Sequence, residues 1–309
     1  MTDKEVLYII TIARCSSITK AAEQLFIAQP SLTQALHRIE EDYGAPFFYR
    51  VRGGLQLTEA GKTYLETATE IEQLYKNMRY ALSDISGVQG GAIRLGITMF
   101  QGIVLLPELL TRFHTKYPRV EMSLLETSSA QLEELAANGK LDLIILHRPF
   151  RNYDLNFLSV LREEFLLATA PDDPDYNRLS SPEVPIPEIT AEILQRKNLI
   201  MLTANQRIRQ VADIICSTAG ISPHATFSTA SIETALALAS KGMGAAFVPL
   251  SFSRFYNRYS PAYFRFPRNW NAGWELVVAY SKNAVLSRPC QELYKTLQEC
   301  ITSMPGVFL

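Results

Sequence analysis

The stretch from Ile18 to Arg38 constrains the fold of this chain more than any other segment. A three-residue corner, Phe26-Ile27-Ala28, lies in its middle, and Pro30 follows closely. Proline is favoured at the first position of a helix, because its missing N–H is not needed there. Apolar residues recur at helical spacing on both sides of the corner: Ile18, Ala21, Ala22 and Leu25 before it, and Leu32, Leu36 and Ile39 after it. The stretch therefore predicts two short helices joined by a tight turn.

An additional helix is predicted ahead of this pair. Ser16-Ser17 ends it, and its buried face is formed by residues at helical spacing: Val6, Ile9, Ile10 and Ala13. Thr19 then fits an N-cap for the second helix, and Gly44 fits just past the end of the third. The segment is thus predicted to be a three-helix unit that contains a helix-turn-helix.

The outer face of the third helix is polar. Once the core positions are assigned, the remaining residues are Gln29, Ser31, Thr33, Gln34, His37 and Arg38. The first turns of a recognition helix reach base edges in the major groove of DNA, where glutamine pairs with adenine and arginine with guanine. An ordinary solvated helix face has the same composition, so this pattern alone leaves both interpretations open.

Net charge does not decide between a DNA-reading helix and an ordinary solvated helix face. The chain carries −1 overall, and its first 58 residues hold as many basic as acidic side chains: Lys4, Arg14, Lys20, Arg38, Arg50 and Arg52 against Asp3, Glu5, Glu23, Glu40, Glu41 and Asp42. A DNA-binding unit of this composition must gather its basic residues on one face.

The residues after the third helix predict a two-stranded wing. Strand-like residues 47–50 lead into the turn 51–54, and residues 55–57 form a returning strand. Arg50 and Arg52 lie on this ribbon. A wing beside a helix-turn-helix places such residues near phosphates or the minor groove.

These motifs together resemble the DNA-binding half of the LysR-type transcriptional regulators. The match covers about sixty residues in order and spacing, through SITKAAEQL (17–25), AQPSLT (28–33), Glu40-Glu41, Gly44, Phe48, Arg50 and LTEAG (57–61). The resemblance implies a winged helix-turn-helix in which the positions of Gln29, Pro30, Ser31, Thr33 and Gln34 face the DNA. Thr19 is a further predicted DNA-binding residue. Gln34 departs from the family, in which arginine is common at this position, and this leaves the preferred DNA sequence open.

Residues 59–88 predict a long helix that joins two such units. An a/d seam of alternating four- and three-residue steps runs along it: Tyr64, Ala68, Ile71, Tyr75, Met78, Leu82 and Ile85. At 1.5 Å per residue it would span roughly 40 Å. A dimerisation helix is the favoured interpretation, and a helix that lies on its own domain is the alternative. Gly87, Gly90 and Gly91 then indicate a domain boundary.

The remaining residues, 89–309, alternate between strands and helices. Strands are predicted at 92–98, 120–127, 141–147, 198–203, 225–229, 244–249 and 275–281, with helices near 105–117, 130–138, 207–219, 232–241 and 288–300. The strands are nearly continuous apolar runs, which favours a parallel sheet covered on both faces.

Hydroxyl residues follow several of these strands, at Thr98, Thr127-Ser128, Thr203 and Ser231. Ligands of open α/β sheets bind beyond the carboxyl ends of the strands, and helix N-termini favour anions there. The same residues also fit simple N-caps, so both roles stay open. His147, at the end of a strand, could supply a proton or charge to an acidic ligand, although a lone histidine is more often structural.

Segments 92–107, 135–142 and 234–249 are similar to the effector-binding domain of the same family. The resemblance implies two α/β lobes like those of periplasmic binding proteins: lobe I at about 89–163 and 268–309, and lobe II at about 164–267. It implies a cleft lined by the positions of Thr98, Thr127, Thr203 and Ser231. Further predicted effector-binding residues are Phe100, Gln101, Ser128, His147 and Pro249. A carboxylate effector suits such a cleft.

No catalytic motif stands out. G-x-S-x-G, H-E-x-x-H and Walker A patterns are absent, and the four histidines and four cysteines are scattered, so no metal, cofactor or enzymatic activity is predicted. No signal peptide or long apolar run is present, which favours a cytoplasmic protein.

The sequence therefore predicts a transcriptional regulator that binds double-stranded promoter DNA and a small-molecule effector. The family implies a homodimer through the linker helix, a homotetramer, and RNA polymerase as a further partner. The alternative is an α/β solute-binding protein or enzyme whose N-terminal segment only dimerises. The effector, the operator and the choice between activation and repression are not determined by the sequence.

Overall fold

The N-terminal part of the computed structural model is a small helical unit; the structure describes residues 2–85, 91–148, 150, 154–181, 183–184, 186–256 and 258–304. Its helices are α1 (Asp3–Cys15), α2 (Ile18–Gln24) and α3 (Gln29–Tyr43). Their predicted apolar faces form one core, in which Ile9, Leu32 and Ile39 are almost fully buried. Gly44 ends α3 in the left-handed region, with φ of 69°.

The predicted cap of α2 was wrong. Ser17 is its N-cap, and the Ser17 side chain accepts a hydrogen bond from the backbone N–H of Lys20. Thr19 lies inside the helix and is exposed. The difference arises because Ser17 has the extended backbone that an N-cap requires, with φ of −159° and ψ of 122°.

The wing consists of β1 (Phe48–Val51) and β2 (Gly54–Leu57), paired antiparallel with Arg50 opposite Leu55. The following helix, α4, runs from Glu59 to Ile85. The predicted seam of α4 divides into two parts. Tyr64 and Ala68 are buried in the N-terminal core, so the seam begins on the helix's own domain rather than on a partner.

Farther along α4, Met78 and Leu82 are exposed, as is Leu74, which was outside the predicted seam. The first half of α4 therefore follows the alternative interpretation, because α1 covers it. The predicted seam position Ile85 and the predicted boundary residues Gly87 and Gly90 lie outside the described side chains and residues.

The α/β part contains one mixed sheet. Its strands are β3 (Gly91–Ile97), β4 (Val120–Glu126), β5 (Leu143–His147), β6 (Leu155–Thr169), β7 (Leu199–Leu202), β8 (Ala225–Thr229), β9 (Ala245–Pro249), β10 (Ala262–Arg265) and β11 (Gly273–Ser281). The order is β4-β3-β5-β11-β6-β9-β7-β8, with β10 paired to β6. The helices are α5 (Met99–Lys116), α6 (Ser129–Ala137), α7 (Pro174–Leu179), α8 (Ala191–Arg196), α9 (Arg207–Thr218), α10 (Ile232–Ser240), α11 (Leu250–Phe255) and α12 (Arg288–Ser303).

The sheet is only partly the parallel sheet that the apolar strands favoured. β3, β4 and β5 are parallel to one another, as are β7, β8 and β9, but β6 and β11 pair antiparallel with their neighbours. β6 was not predicted, because Arg162, Glu163 and Glu164 interrupt its apolar pattern. β6 and β11 connect the two parallel groups, each of which forms one lobe.

Both faces of each lobe are covered. In lobe I, one core lies under α5 and α12 and another under α6. In lobe II, one core lies under α8 and α9 and another under α10 and α11. In both lobes, helices α5, α6, α9 and α10 begin shortly after the carboxyl ends of parallel strands, at the positions predicted for effector binding.

Candidate functional sites

The first candidate site is the exposed face at the start of α3. Gln29, Ser31 and Gln34 are exposed, and Thr33 is half-buried. The Gln29 side-chain amide donates to Thr33 Oγ1 over 3.1 Å, and Thr33 Oγ1 donates to the Gln29 carbonyl oxygen over 3.0 Å. This local bonding holds Gln29 in one orientation, with its amide oxygen available as an acceptor.

Glu40 joins α3 to the wing. Its Oε1 accepts hydrogen bonds from the backbone N–H of Phe47 at 2.7 Å and of Phe48 at 3.3 Å. The far strand is fixed as well, since the Leu55 N–H donates to the Ser16 carbonyl oxygen over 2.9 Å. The wing backbone that carries the exposed residues Arg50 and Arg52 is therefore anchored to α3 and to the end of α1.

The charges of this unit are unevenly distributed despite their equal numbers. Arg14 lies 3.7 Å from Glu72, and Arg38 lies 3.9 Å from Glu5. Lys20, Arg50 and Arg52 are exposed and form no ion pair with any residue that the structure describes. The wing thus presents two positive charges and no acidic side chain, which is the arrangement that attracts phosphates, whereas exposed Glu23 offsets Lys20 on α2.

Phe26, predicted only as part of the corner, is an exposed residue of the helix-turn-helix. Its side chain is 95% exposed, and its backbone has φ of 55°. The left-handed region disfavours a bulky side chain, and exposure of a phenyl ring gains nothing in folding. The corner residue before the recognition helix therefore belongs to the candidate surface, and its positive φ could not be read from the sequence.

The second candidate site is the predicted effector site at the strand ends of the two lobes, where the predicted hydroxyls have local partners. Ser128 caps α6 by accepting from the Gln131 N–H, and Ser231 caps α10 by accepting from the Thr234 N–H. Thr127 Oγ1 donates to Gln131 Oε1 at 2.6 Å. Thr203 is half-buried and lies 2.9 Å from Asn205 Oδ1. The capping role therefore holds for Ser128 and Ser231, and a capping hydroxyl keeps further capacity for a ligand.

Among the contacts between the lobes in the described ranges, one is aromatic and one is an ion pair. Phe100 of lobe I meets Phe252 of lobe II edge to face, with ring centroids 5.0 Å apart. Arg207, at the start of α9 in lobe II, donates from Nη2 to Oε1 of Glu133 on α6 in lobe I. Gln101 is buried beside Thr98, whose hydroxyl contacts its side-chain oxygen, and Pro249 is also buried.

His147 belongs to a buried network rather than to the surface of the cleft. Its ring stacks on Trp274 at 3.7 Å, and its Nε2 lies 3.4 Å from Oε2 of Glu163. Glu163 also accepts from Trp274 Nε1 at 2.7 Å and from the Ser251 N–H at 2.8 Å. The side chains of His147 and Glu163 are only 3% and 2% exposed. The predicted direct contact of His147 with a ligand does not fit this burial.

Burial also sets the charge states of this pair. It lowers the pKa of His147, an effect that the Glu163 carboxylate 3.4 Å away opposes and the nearby positive charge of Arg207 reinforces. Burial would raise the pKa of Glu163, but the close approach of His147 and the hydrogen bonds from Ser251 and Trp274 outweigh it and lower that pKa. The network at neutral pH is therefore a neutral imidazole beside a carboxylate.

A pH dependence of stability follows from these two shifts. Below the ordinary histidine pKa of 6.5, the unfolded chain takes up a proton at His147 that the folded chain refuses. The free energy of unfolding should then fall, by up to about 1.4 kcal/mol per pH unit. Below pH 4.5, the ordinary pKa of glutamate, protonation of Glu163 in the unfolded chain lowers the free energy of unfolding further.

This dependence is measured by urea unfolding at several pH values between about 7 and 5. His147→Gln should flatten the dependence relative to the matched variant His114→Gln, since His114 is exposed on α5. Equal pH slopes for the two variants would show that His147 titrates normally in the folded chain.

The described residues offer little for redox or metal chemistry. Burial raises the pKa of Cys216 to about 11 and of Cys290 to about 12, which suppresses the reactive thiolate. No cluster of His, Cys, Asp or Glu in the described ranges could hold a metal ion. None of the helices described is both long and apolar enough to cross a membrane.

Comparison with known proteins identifies both halves of the chain. Residues 4–62 match the model of the bacterial regulatory helix-turn-helix proteins of the lysR family, and residues 86–300 match the LysR substrate-binding domain. The chain belongs to the LysR family. It is therefore a DNA-binding transcriptional regulator with an effector-binding domain, and the predicted family and function are confirmed.

Relatives and solved structures agree with this assignment. The chain is 31% identical over 259 residues to YcgK of Bacillus subtilis, an uncharacterized HTH-type transcriptional regulator, covering 81% of this chain and 80% of that one. It is 31% identical over 241 residues to a probable RuBisCO transcriptional regulator of Cyanidium caldarium, covering 76% of this chain and 74% of that one.

Two solved structures share the fold of this LysR-family chain. A full-length OxyR variant from Pseudomonas aeruginosa has a TM-score of 0.76 at 22% identity, over 96% of this chain and 95% of that one. The LysR family transcriptional regulator CbnR, in complex with its target DNA, has a TM-score of 0.54 at 20% identity, over 97% and 99% of the two chains. The predicted combination of a winged helix-turn-helix with a two-lobed α/β domain is thereby confirmed.

Proposed function

We propose that this regulator reads double-stranded promoter DNA through the start of α3 and the wing. The contacts to bases come from Gln29, Ser31, Thr33 and Gln34, and Pro30 sets the start of the helix. The sugar-phosphate backbone of the DNA and the groove beside it are contacted by Thr19, His37, Arg38, Arg50 and Arg52. The observation that carries this proposal is the rigid connection of α3 to the wing through Glu40, which presents Gln29 and Arg50 together.

The proposed domains are 1–58 for DNA reading, 59–88 for dimerisation and 89–309 for effector binding. Leu74, Met78 and Leu82 recur every four residues on α4 and are exposed, which fits a homodimer through this helix. A dimer would place two recognition helices one DNA turn, about 34 Å, apart. A homotetramer and contact with RNA polymerase are further parts of the proposal that the family supports, as is a cytoplasmic location.

The proposed effector is a small molecule that carries a carboxylate and is held between the lobes. The hydroxyl groups of Thr98, Thr127, Ser128, Thr203 and Ser231 supply hydrogen bonds at the strand ends. The sides of the effector site are formed by Phe100, Gln101 and Pro249. His147 influences the site indirectly, through its buried contacts with Trp274 and Glu163. The effector must bind two lobe arrangements with different affinity, because equal affinity would shift nothing. No enzymatic step is part of this proposal.

Loss of a wing arginine tests the proposed DNA surface. Arg50→Ala should weaken binding to the protein's own upstream DNA uniformly across sequences and lower the salt slope by about 1, because one phosphate contact is removed. Gln29→Ala should cost about 1–3 kcal/mol and relax the sequence preference. Gel shifts on upstream and scrambled DNA at several salt concentrations measure both effects.

Lys140→Ala is the matched control for charge, since Lys140 is an exposed residue of the α/β part. This variant should leave both the salt slope of DNA binding and the preference for the upstream DNA sequence unchanged. An Arg50→Ala variant that binds with the wild-type salt slope would refute the proposed role of the wing. An absence of salt-sensitive, sequence-specific binding by the wild type would instead favour the solute-binding or enzymatic alternative.

A further inference from the structure

A buried ion pair joins the lobes where the helices that follow β4 and β7 face each other. Arg207 is the first residue of α9, and Glu133 lies on α6. Their side chains are 10% and 2% exposed, so both charges are withdrawn from water. The lobes are thus connected by a charge-assisted hydrogen bond from Arg207 Nη2 to Glu133 Oε1.

The neighbours of this pair are the residues of the proposed effector cleft. Arg207 follows Gln206, whose amide donates to the Ala230 carbonyl oxygen over 2.6 Å and to Thr203 Oγ1 over 3.3 Å. Glu133 lies on the helix that Ser128 caps. The positive charge of Arg207 also acts on His147 at the end of β5. The ion pair is therefore connected to the proposed effector residues: through Gln206 to Thr203, through α6 to Ser128, and by its charge to His147.

The chemistry of the pair is that of ligand recognition. A guanidinium presents a planar fork of donors that matches a carboxylate, and this geometry is preferred where an anion must be bound in a site shielded from water. A buried ion pair adds little net stability over apolar packing, because desolvation offsets the attraction. A second carboxylate that replaces Glu133 would keep Arg207 paired, and Glu133 would have to move towards water.

We propose that Arg207 is the anion-binding residue of the cleft, and that the effector is a carboxylate that displaces Glu133 from it. Displacement breaks the bond between α6 and α9, so the bound anion favours a different arrangement of the lobes. This coupling supplies the difference in affinity that an effector switch requires. The inference rests on the proposed effector cleft.

The test uses the full chain and sodium propionate, which reproduces the side chain of glutamate as a free anion. Propionamide, of the same shape but uncharged, is the parallel probe, and sodium chloride keeps the ionic strength equal. Binding is followed by tryptophan fluorescence, because Trp274 stacks on His147 beside Arg207. Glu133→Gln keeps the size of the side chain and removes the competing charge.

Glu133→Gln should bind propionate at least about tenfold more tightly than the wild type, since the internal competitor is weakened. Glu134→Gln is the matched control, because Glu134 is exposed on the same helix, and it should bind as the wild type does. The double variant Glu133→Gln/Arg207→Met removes both charges, so neither is left buried alone, and it should lose the response to propionate. Propionamide should give no response in any variant.

Equal propionate affinities of Glu133→Gln and the wild type would overturn the inference and identify the pair as a permanent link between the lobes. A propionate response that persists in the double variant would also overturn it, since the anion would then bind elsewhere. A gel shift on the protein's upstream DNA, run with the same samples, tests the proposed function separately. Failure of DNA binding would leave the propionate result interpretable.

Discussion

Replacing Glu163 with alanine should lower the free energy of unfolding of the α/β part by about 3–5 kcal/mol. The carboxylate is buried and accepts from Trp274 Nε1 and from the Ser251 N–H, at 2.7 and 2.8 Å. Without it, two buried donors lose their acceptor and the space of the side chain is left empty, and both effects are destabilising. The loss is large because β6, which carries Glu163, connects the lobes.

The measurement is urea unfolding followed by tryptophan fluorescence. Both tryptophans of the chain, Trp270 and Trp274, lie in the α/β part, so the signal reports that part. Glu164→Ala is the matched control, since Glu164 is the next residue of β6 and is exposed. Its effect should stay within about 0.5 kcal/mol. Similar losses for the two variants would mean that the buried network contributes little.

Gly61→Ala should abolish DNA binding by unfolding or displacing the wing. A methyl group at Gly61 would lie 2.0 Å from the Phe47 carbonyl oxygen and 2.9 Å from the Phe47 carbonyl carbon. These are backbone atoms, and the same oxygen accepts from the Thr58 N–H at 2.9 Å, so the clash cannot be relieved by a side-chain rotation. A loss of more than about 4 kcal/mol is expected for the N-terminal unit, which places the change among the severe ones.

Gly44→Ala is the control for the removal of a glycine. Gly44 has φ of 69° but open space around it, so the cost is limited to about 1–2 kcal/mol of backbone strain. This variant should still shift upstream DNA, whereas Gly61→Ala should not. The tryptophan fluorescence of both variants should match the wild type, because the α/β part is untouched. Retention of DNA binding by Gly61→Ala would contradict the close approach of α4 to the wing.

The seam of α4 shows that apolar periodicity predicts a helix face but does not predict what packs against it. The a/d spacing marks every apolar position on one helix face, but it does not identify what covers that face. Tyr64 and Ala68 are covered by the chain's own core, whereas Met78 and Leu82 are exposed. Local spacing therefore predicts the helix, and only packing divides it between the domain and a partner.

The proposed effector site also contains residues that the sequence predicts and residues that only the structure reveals. Thr98, Ser128, Thr203 and Ser231 were selected from the sequence because hydroxyls follow strands, and the structure places them at the strand ends. Glu133 and Arg207 were not selected, since a single charged residue on an amphipathic helix has no distinguishing pattern. Their pairing joins positions 74 residues apart.

The sequence by itself determined the three N-terminal helices, the wing, the long helix and the alternation of strands and helices after it. Each of these depends on signals within a few residues: apolar spacing, Pro30 after the corner, Gly44 at a helix end. The tertiary structure alone decided the direction of β6 and β11, the burial of His147, and the contact of Gly61 with Phe47. These features arise from residues distant in sequence whose desolvation and close contact exist only once the chain has folded.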